Sequence, residues 1–414
     1  MSEQPIPVLI VDDDPSVGAW LQLLVRRMGD SLPCTATWVT TGAMMTEELA
    51  RHPYDLVLLD YHLQDVDGLA LLSQIQDMPK DRRPAVIMLT GGGSEQIAVE
   101  AMKRGARDYL IKATLDQATI RRAMAGALET RRLEVELARR NEELRQKNAQ
   151  MEAELAMARD VQKALLPSQY PVVPRNAPPD QSALRFAHRW IPSSAMAGDF
   201  FEVFPVAHTA AGVFLCDVMG HGVRAALVTA LMRGLLEETV AWAAEPGRML
   251  EELNRALRDI LQRSDTILFA TGFYLVVDAT RRELRYANAA HPSPVLIRRS
   301  AGVVEYLASA GGPDPAIALL PDADYATHSV MLSPGDAVLL FTDGLHEAEN
   351  AQGEAFGAER LLGSVRARMA MDREEIMDGV LEDLRTYLGA AEGTPLEDDV
   401  CMVLVELAAA SAGG

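Results

Sequence analysis

From Leu115 to Leu166 the chain runs without a proline and with one glycine, Gly126, through a composition rich in Glu, Arg, Leu, Ala and Gln. Such a run favours helix throughout, because these side chains lose little rotamer freedom in a helix and nothing interrupts the hydrogen-bond ladder. At 1.5 Å per residue ~50 residues would reach on the order of 75 Å, so the stretch reads as a connector between two separately folded parts. Leu137, Leu144, Met151, Ala158 and Leu165 recur every seven residues, and the alternate heptad line holds Asn141, Asn148, Leu155 and Gln162. This is a weak coiled-coil seam. Buried Asn fixes register and strand number at a cost in stability, so a parallel homodimer is preferred over a solvated single helix. Pro167 ends the helix, and residues 167–183 (PSQYPVVPRNAPPDQSA) hold five prolines that cannot continue it. The expected division is a first domain over residues 1–125, a helical linker over 126–166, a Pro-rich connector over 167–183, a second domain over 184–408 and a tail over 409–414.

The 414 residues suffice for two or three domains with cores of their own, and 49% apolar with 24% charged residues is the balance of a folded globular chain. A formal charge of -20 would repel phosphate backbones and anionic lipid, so direct DNA binding is not the expected output. Cys34, Cys216 and Cys401 lie too far apart in sequence for a CxxC pair, a zinc site or a disulfide framework, which fits a reducing cytoplasm. Gly, Pro or charge interrupts every apolar run before the ~18 residues a membrane span needs, and the first residues carry no export signal.

Val8 to Val11, Asp55 to Leu59, Ala85 to Leu89 and Asp108 to Ile111 are short apolar runs, as expected of parallel strands covered on both faces. Between them Pro15 to Met28, Thr41 to Arg51, Gly68 to Gln76 and Ser94 to Arg104 carry apolar residues at helical spacing. Repeated βα units predict a doubly wound sheet, whose ligands sit at the carboxyl ends of its strands. The unusual residues fall there: Asp12, Asp13 and Asp14 follow the first strand, Asp60 ends the next, and Thr90 and Lys112 end the last two. A lone aspartate at a strand end can be a cap, but three strand ends supply matching groups here. Clustered carboxylates repel one another and are tolerated mainly around a hard cation, for which Mg²⁺ is the natural candidate. Asp60 can then attack a phosphoryl donor while Lys112 neutralises phosphoryl oxygens and the Thr90 hydroxyl bonds the product. The segments IVDDD, DLVLLDYHLQDVDG, MLTG and DYLIKA, within residues 6–125, resemble the receiver domain of two-component response regulators. The resemblance implies a flavodoxin-like fold, phosphorylation of Asp60 by a cognate histidine kinase, and Mg²⁺ ligation by Asp12, Asp13, Asp60 and the His62 backbone carbonyl. It also implies switch roles for Thr90 and Tyr109. Gln64 and Ala113 depart from the family, which usually has Pro at both positions.

Four further segments each put an Asp beside a β-rich apolar run: SSAMAGDFFEVF around Asp199, FLCDVMGHGVRAAL around Asp217, VLLFTDGLHEAEN around Asp343, and LEDDVCMVLVEL around Asp398 and Asp399. Strand ends so far apart in sequence meet only through the fold, and carboxylates meeting there require cations. Two metals about 4 Å apart turn a water between them into a hydroxide-like nucleophile and hold phosphate oxygens. With ARDVQKALLP, LRYANAAHPSPVLIRR and FGAERLL, these segments resemble the SpoIIE-like, sigma-factor-regulating branch of the metal-dependent (type 2C) protein phosphatases over residues 155–407. The resemblance implies an α+β fold, a β-sandwich flanked by helices, with two Mn²⁺ or Mg²⁺ ions held by Asp199, Asp217, the Val218 backbone carbonyl, Asp343 and Asp398. In this alignment of motifs Asp399 is not the ligand of its pair. His221 reads either as a general acid or as a loop hydrogen-bonder, and His291 likewise; Gly220 and Gly222 either let backbone approach the phosphate or simply form a turn. Ala197, Glu202 and the GGPDPAIAL stretch depart from the family pattern without deleting a ligand.

The reading is a response regulator whose output is dephosphorylation of phosphoserine or phosphothreonine on a protein, with a STAS-type anti-sigma factor antagonist as the implied substrate. The alternative is a phosphorylation-switched adaptor that keeps the fold without turnover; retention of Asp199, Asp217, Asp343 and Asp398 together favours the enzyme. No helix-turn-helix follows the first domain, in keeping with an output other than DNA.

Overall fold

The computed structural model describes residues 5–28, 32–92, 95–220, 222–262, 268–308, 314–391 and 394–409. The chain forms two compact units, Met1–Gln150 and Met151–Gly414.

The first unit alternates β1 (Ile6–Val11), α1 (Pro15–Arg26), β2 (Cys34–Val39), α2 (Gly42–Arg51), β3 (Leu56–Asp60), α3 (Gly68–Gln76), β4 (Ala85–Thr90), α4 (Glu95–Lys103) and β5 (Asp108–Ile111), then enters α5 (Gln117–Leu165). All strand pairs are parallel, in the order β2-β1-β3-β4-β5. This is the flavodoxin-like arrangement, in which the order reverses beside β1 and opens a crevice at the strand ends. Val8, Ile10, Leu56, Leu58, Ile87 and Leu89 fill one core, and Leu9, Val11, Val57, Leu59, Val86 and Met88 fill the other, so the central strands are apolar on both faces. The sequence reading lacked β2. CTATWV exposes Thr35 and Thr37 on an edge strand, so it has none of the continuous apolar run that marks the buried ones. Asp14 is also reassigned: it caps α1, accepting from Ser16 N at 2.8 Å, with Pro15 at the first helical position.

Helix α5 is 49 residues long, and among the described residues no helix is long and apolar enough to cross a membrane. Ile120, Ala123, Met124 and Ala127 bury its first turns against the sheet, and Arg131 bonds the Asp55 carboxylate and the Arg83 carbonyl. Leu137, Leu144 and Met151 are 58–61% exposed. The last heptad positions serve another purpose: Gln162 is buried within the second unit, and Leu155, Ala158 and Leu165 are half-buried. The heptad line thus loses its exposure after Met151, because the final turns of α5 dock within their own chain, although Met157 and Val161 off that line stay exposed.

The second unit contains β6 (Leu184–Ile191), β7 (Asp199–Pro205), β8 (Ala210–Val218), α6 (Val223–Thr239), α7 (Pro246–Leu261), β9 (Ala270–Asp278), β10 (Glu283–Ala289), β11 (Val295–Arg298), β12 (Val303–Tyr306), β13 (His328–Met331), β14 (Ala337–Phe341), α8 (Asp343–His346), α9 (Gly357–Arg368), α10 (Arg373–Leu388) and β15 (Val400–Leu407). The sheets β13-β10-β9-β8-β7 and β12-β11-β14-β15-β6 are antiparallel and pack face to face. Helices α6 and α7 cover the first sheet, and α9 and α10 cover the second. The central strands read as apolar on both faces because one face meets the other sheet and the opposite face meets helices, whereas edge strands β12 and β13 keep exposed positions.

Candidate functional site

The carboxyl ends of β1, β3, β4 and β5 bring Asp12, Asp13, Asp60, Thr90 and Lys112 to one crevice. One oxygen from each of Asp12, Asp13 and Asp60 lies within 4.8 Å of the others. Lys112 Nζ sits 2.6 Å from Asp12 Oδ2 and 2.9 Å from Asp60 Oδ2. Burial raises the Asp60 pKa, opposed by Lys112 and reinforced by Asp12 and Asp13. Burial acts to lower the Lys112 pKa, but its bonds to Asp12 and Asp60 outweigh that and hold the ammonium above its usual range. Three carboxylates around one ammonium leave the crevice net negative and lined with hard oxygen donors, which suits a divalent cation such as Mg²⁺. The Thr90 hydroxyl donates to the Gly92 carbonyl at 3.1 Å, and the Tyr109 hydroxyl donates to the same carbonyl at 3.3 Å. His62 lies on the turn after Asp60, closed by a His62–Asp67 bridge and by Gly68 N donating to the Tyr61 carbonyl.

In the second unit, strand periodicity explains the convergence of the aspartates. Along β8, Val213 and Leu215 face the core between the sheets, whereas Phe214, Cys216 and Val218 face α6 and α7. A period of two therefore puts Asp217 on the inter-sheet side. The same parity carries Asp199 with Phe201 and Val203, Thr342 with Val338 and Leu340, and Asp399 with Cys401 and Val403. Asp199 stands opposite Asp217 in the β7–β8 register. Asp199 Oδ2 accepts from Thr342 Oγ1 at 2.7 Å, which itself accepts from Cys401 N at 2.9 Å. The turn carrying Asp343 presses on the last aspartates so closely that a Cβ on Gly344 would lie 2.1 Å from the Asp399 carbonyl oxygen. Asp399 is buried and its two oxygens accept from Ser193 N, Ser193 Oγ and Gly198 N, whereas Asp398 is exposed.

Burial, then Asp217, push the Asp199 carboxyl well above its ordinary range, and burial with Asp343, Asp398 and Asp399 pushes Asp217 up to about 7. Among the described residues no lysine or arginine forms an ion pair with Asp199, Asp217 or Asp343. Carboxylates gathered without a lysine or arginine paired to them fit a divalent cation held by oxygen ligands. This second cluster is looser than the first, since among the described residues only Asp12, Asp13 and Asp60 bring three carboxylate oxygens within 4.8 Å. Thr342 has no signal in the sequence and Gln162 reads there only as a heptad position; no residue type announces a buried hydroxyl or amide that orients an aspartate or its loop.

His221 lies outside the described residues, between Gly220 and Gly222, which both adopt positive φ. His291 is buried, shares a 2.8 Å hydrogen bond through Nδ1 with Thr271 Oγ1, and is tied by its backbone to the Asn288 side chain. Burial lowers its pKa to about 3, so at neutral pH the ring is the neutral imidazole rather than the imidazolium that a general acid needs, which favours the reading as a loop hydrogen-bonder. Because the unfolded chain protonates His291 near pH 6.5 and the folded chain only near 3, stability falls as pH drops through that window. In urea unfolding followed at the second unit, His291→Gln is expected to flatten this slope between pH 6.5 and 4. Equal slopes in the two proteins would contradict the assignment.

The family model for the response regulator receiver domain matches residues 8–125, and that for Stage II sporulation protein E (SpoIIE) matches residues 208–408. The chain is 28% identical over 276 residues to Protein IcfG of Synechocystis, covering 61% of this chain and 41% of that protein. It is 28% identical over 193 residues to Phosphoserine phosphatase RsbP of Bacillus subtilis, covering 46% of this chain and 45% of that protein. The chain therefore spans less than half the length of these curated relatives. Among solved structures, the SiaA-PP2C domain of Pseudomonas aeruginosa superposes with a TM-score of 0.53 at 26% identity, over 63% of this chain and 98% of that domain. Fold and matches together define a receiver joined to a PP2C-type sandwich. The chain carries an N-terminal response regulator receiver domain and a C-terminal SpoIIE (PP2C) phosphatase domain.

Proposed function

We propose that this chain is a response regulator whose output is metal-dependent dephosphorylation of phosphoserine or phosphothreonine on a regulatory protein, controlled by phosphorylation of Asp60. The observation that carries the reading is the presence on one chain of two carboxylate sites. One is paired with Lys112, and the other gathers Asp199, Asp217 and Asp343 between the sheets of a phosphatase-type sandwich, where among the described residues no lysine or arginine is ion-paired with these three. In this reading the receiver occupies 1–125, a helical linker 126–166, a connector 167–183 and the phosphatase domain 184–408.

In the receiver, Asp12, Asp13, Asp60 and the His62 carbonyl would hold Mg²⁺. An Asp60 oxygen attacks the phosphorus of a phosphohistidine on the cognate kinase, the P–O bond forms as the P–N bond breaks, and Lys112 neutralises the transferred oxygens. Thr90 and Tyr109 share one acceptor, the Gly92 carbonyl. When the Thr90 hydroxyl turns toward the phosphoryl group, that carbonyl loses a donor and the hold on Tyr109 changes with it.

In the phosphatase domain, Asp199, Asp217, the Val218 carbonyl, Asp343 and Asp398 would hold two Mn²⁺ or Mg²⁺ ions. When bound, such ions would supply Lewis-acid activation of water and neutralise phosphate charge. Thr342 orients Asp199, and Asp399 fixes the Ser193 and Gly198 backbone rather than a cation. The name of RsbP, a phosphoserine phosphatase, supports a phosphoserine substrate, and the family resemblance extends this to a STAS-type anti-sigma factor antagonist in the cytoplasm. Exposed Leu137, Leu144 and Met151 support a homodimer through α5. The test is hydrolysis of p-nitrophenyl phosphate and of a phosphoserine protein by the full chain. Release that depends on Mn²⁺ and stops with EDTA is expected; metal-independent release or none at all would overturn the reading.

A further inference from the structure

We infer that Gln162, on the last turn of α5, is a positioning residue for the metal centre of the phosphatase domain. The inference rests on the reading of Asp199 as a metal ligand. Gln162 is 5% exposed although its neighbour Val161 is 65% exposed, so one polar side chain of a solvated helix turns inward. Its Nε2 donates to the Ala197 carbonyl at 2.7 Å and to Thr229 Oγ1 at 3.3 Å, while Ala197 N donates back to Oε1 at 3.1 Å. Both hydrogens of the amide and its oxygen are thus engaged, and Ala197 is held at its N–H and its carbonyl by one side chain.

One turn earlier, Arg159 donates through Nε to the Ala195 carbonyl at 2.8 Å and through Nη2 to the Ser194 carbonyl at 2.7 Å. The segment 194–197 therefore hangs on α5 by its backbone, and Asp199 begins β7 two residues further on. On its other side the segment is fixed from the cluster itself: Gly198 N donates to Asp399 Oδ2 at 2.6 Å, and Val218 N donates to the Gly198 carbonyl at 3.2 Å. A Cβ on Gly198 would lie 2.9 Å from the Val218 carbonyl oxygen and 3.2 Å from Asp217 Oδ1, so this backbone has no room to shift without moving Asp217 or Val218. A planar amide offers a donor and an acceptor together to the carbonyl and N–H of one residue. Glutamate keeps the acceptor and loses the donor, and methionine loses both.

The experiment uses the full chain and Mn²⁺, with two readouts. The first is the Mn²⁺ concentration giving half-maximal hydrolysis of p-nitrophenyl phosphate. The second is the Mn²⁺ concentration giving half-maximal protection of the peptide spanning residues 194–204 in hydrogen exchange. Gln162→Met is expected to raise both concentrations about tenfold, the scale of a lost buried hydrogen bond or two, with rate at saturating Mn²⁺ within about twofold of wild type. Gln162→Glu preserves volume and tests the donor alone, should Gln162→Met fail to fold; Val161→Ala on the exposed face of the same turn should leave both concentrations unchanged. A lowered unfolding temperature with unchanged Mn²⁺ dependence in both Gln162 variants would reduce the residue to a helix dock and overturn the inference. A wild-type chain in which Mn²⁺ protects residues 194–204 but releases no phosphate would overturn the phosphatase reading and leave the positioning role standing.

Discussion

Asp217→Ala is expected to abolish Mn²⁺-dependent phosphate release while the domain stays folded. The side chain projects between the sheets at the end of β8, where the fold gathers Asp199, Asp343, Asp398 and Asp399 around it, and among the described residues no lysine or arginine is ion-paired with Asp217 itself. Losing a ligand removes several kcal/mol of transition-state charge stabilisation, on the order of a thousandfold or more in rate. Folding should not suffer in proportion. Asp217 lies at the rim of the core and is pushed up to about 7 by burial and its acidic neighbours, so its removal relieves repulsion and opens no apolar cavity. Asp343→Ala should behave alike. The check is phosphate release at saturating Mn²⁺ beside thermal unfolding of the same preparations; near-wild-type turnover in either variant would remove that residue from the metal centre.

Asp60→Asn is expected to eliminate phosphorylation of the chain by acetyl phosphate altogether. Asp60 is 3% exposed at the end of β3, 2.9 Å from the Lys112 ammonium that can neutralise an incoming phosphoryl group and close to Asp12 and Asp13; Asp12 shares the same ammonium at 2.6 Å, so it is the resemblance to receiver domains that singles out Asp60 as the nucleophile. Asparagine keeps the shape and loses the nucleophile. Intact-mass measurement should show one added phosphoryl group on the wild-type chain and none on the variant, with Mn²⁺-dependent hydrolysis still present in both. An adduct that persists in Asp60→Asn would place the phosphoacceptor elsewhere.

The parts of the molecule legible in the sequence were those where one physical demand dominates a run of residues. Central strands of the receiver are apolar on both faces and announce themselves, as does a helix of 49 residues without proline. Edge strand β2 did not, because Thr35 and Thr37 face solvent and its alternation resembles ordinary surface. The aspartates of both clusters stood out as charges placed against apolar runs, but which of two adjacent ones does what depends on contacts far away in sequence. Asp14 became a helix cap, and Asp399 holds Ser193 and Gly198, 206 and 201 residues away. The heptad line over Ala158 and Leu165 carried the coiled-coil pattern too far, since apolar residues at period seven look the same whether they meet a partner helix or their own domain. Thr342 was invisible, and Gln162 was read as a seam position rather than as a partner of Ala197, for a related reason: a hydroxyl or amide acquires meaning only from the buried group it touches.

The most direct test of receiver control through α5 is the phosphatase rate with and without beryllofluoride, a phosphoryl mimic for Asp60. It is measured in the wild-type chain and in a variant with Glu142–Glu152 replaced by flexible Gly-Ser sequence. A continuous helix transmits a rotation or a change of pairing, whereas a flexible tether does not. A coupling free energy of ~1–3 kcal/mol is enough to change the wild-type rate roughly 5- to 150-fold. The expected result is a response of that size in the wild type and none in the variant, which keeps Asp60 phosphorylation and basal hydrolysis. An undiminished response in the variant would show that α5 is only a spacer, and a wild-type rate indifferent to beryllofluoride would contradict control by the receiver.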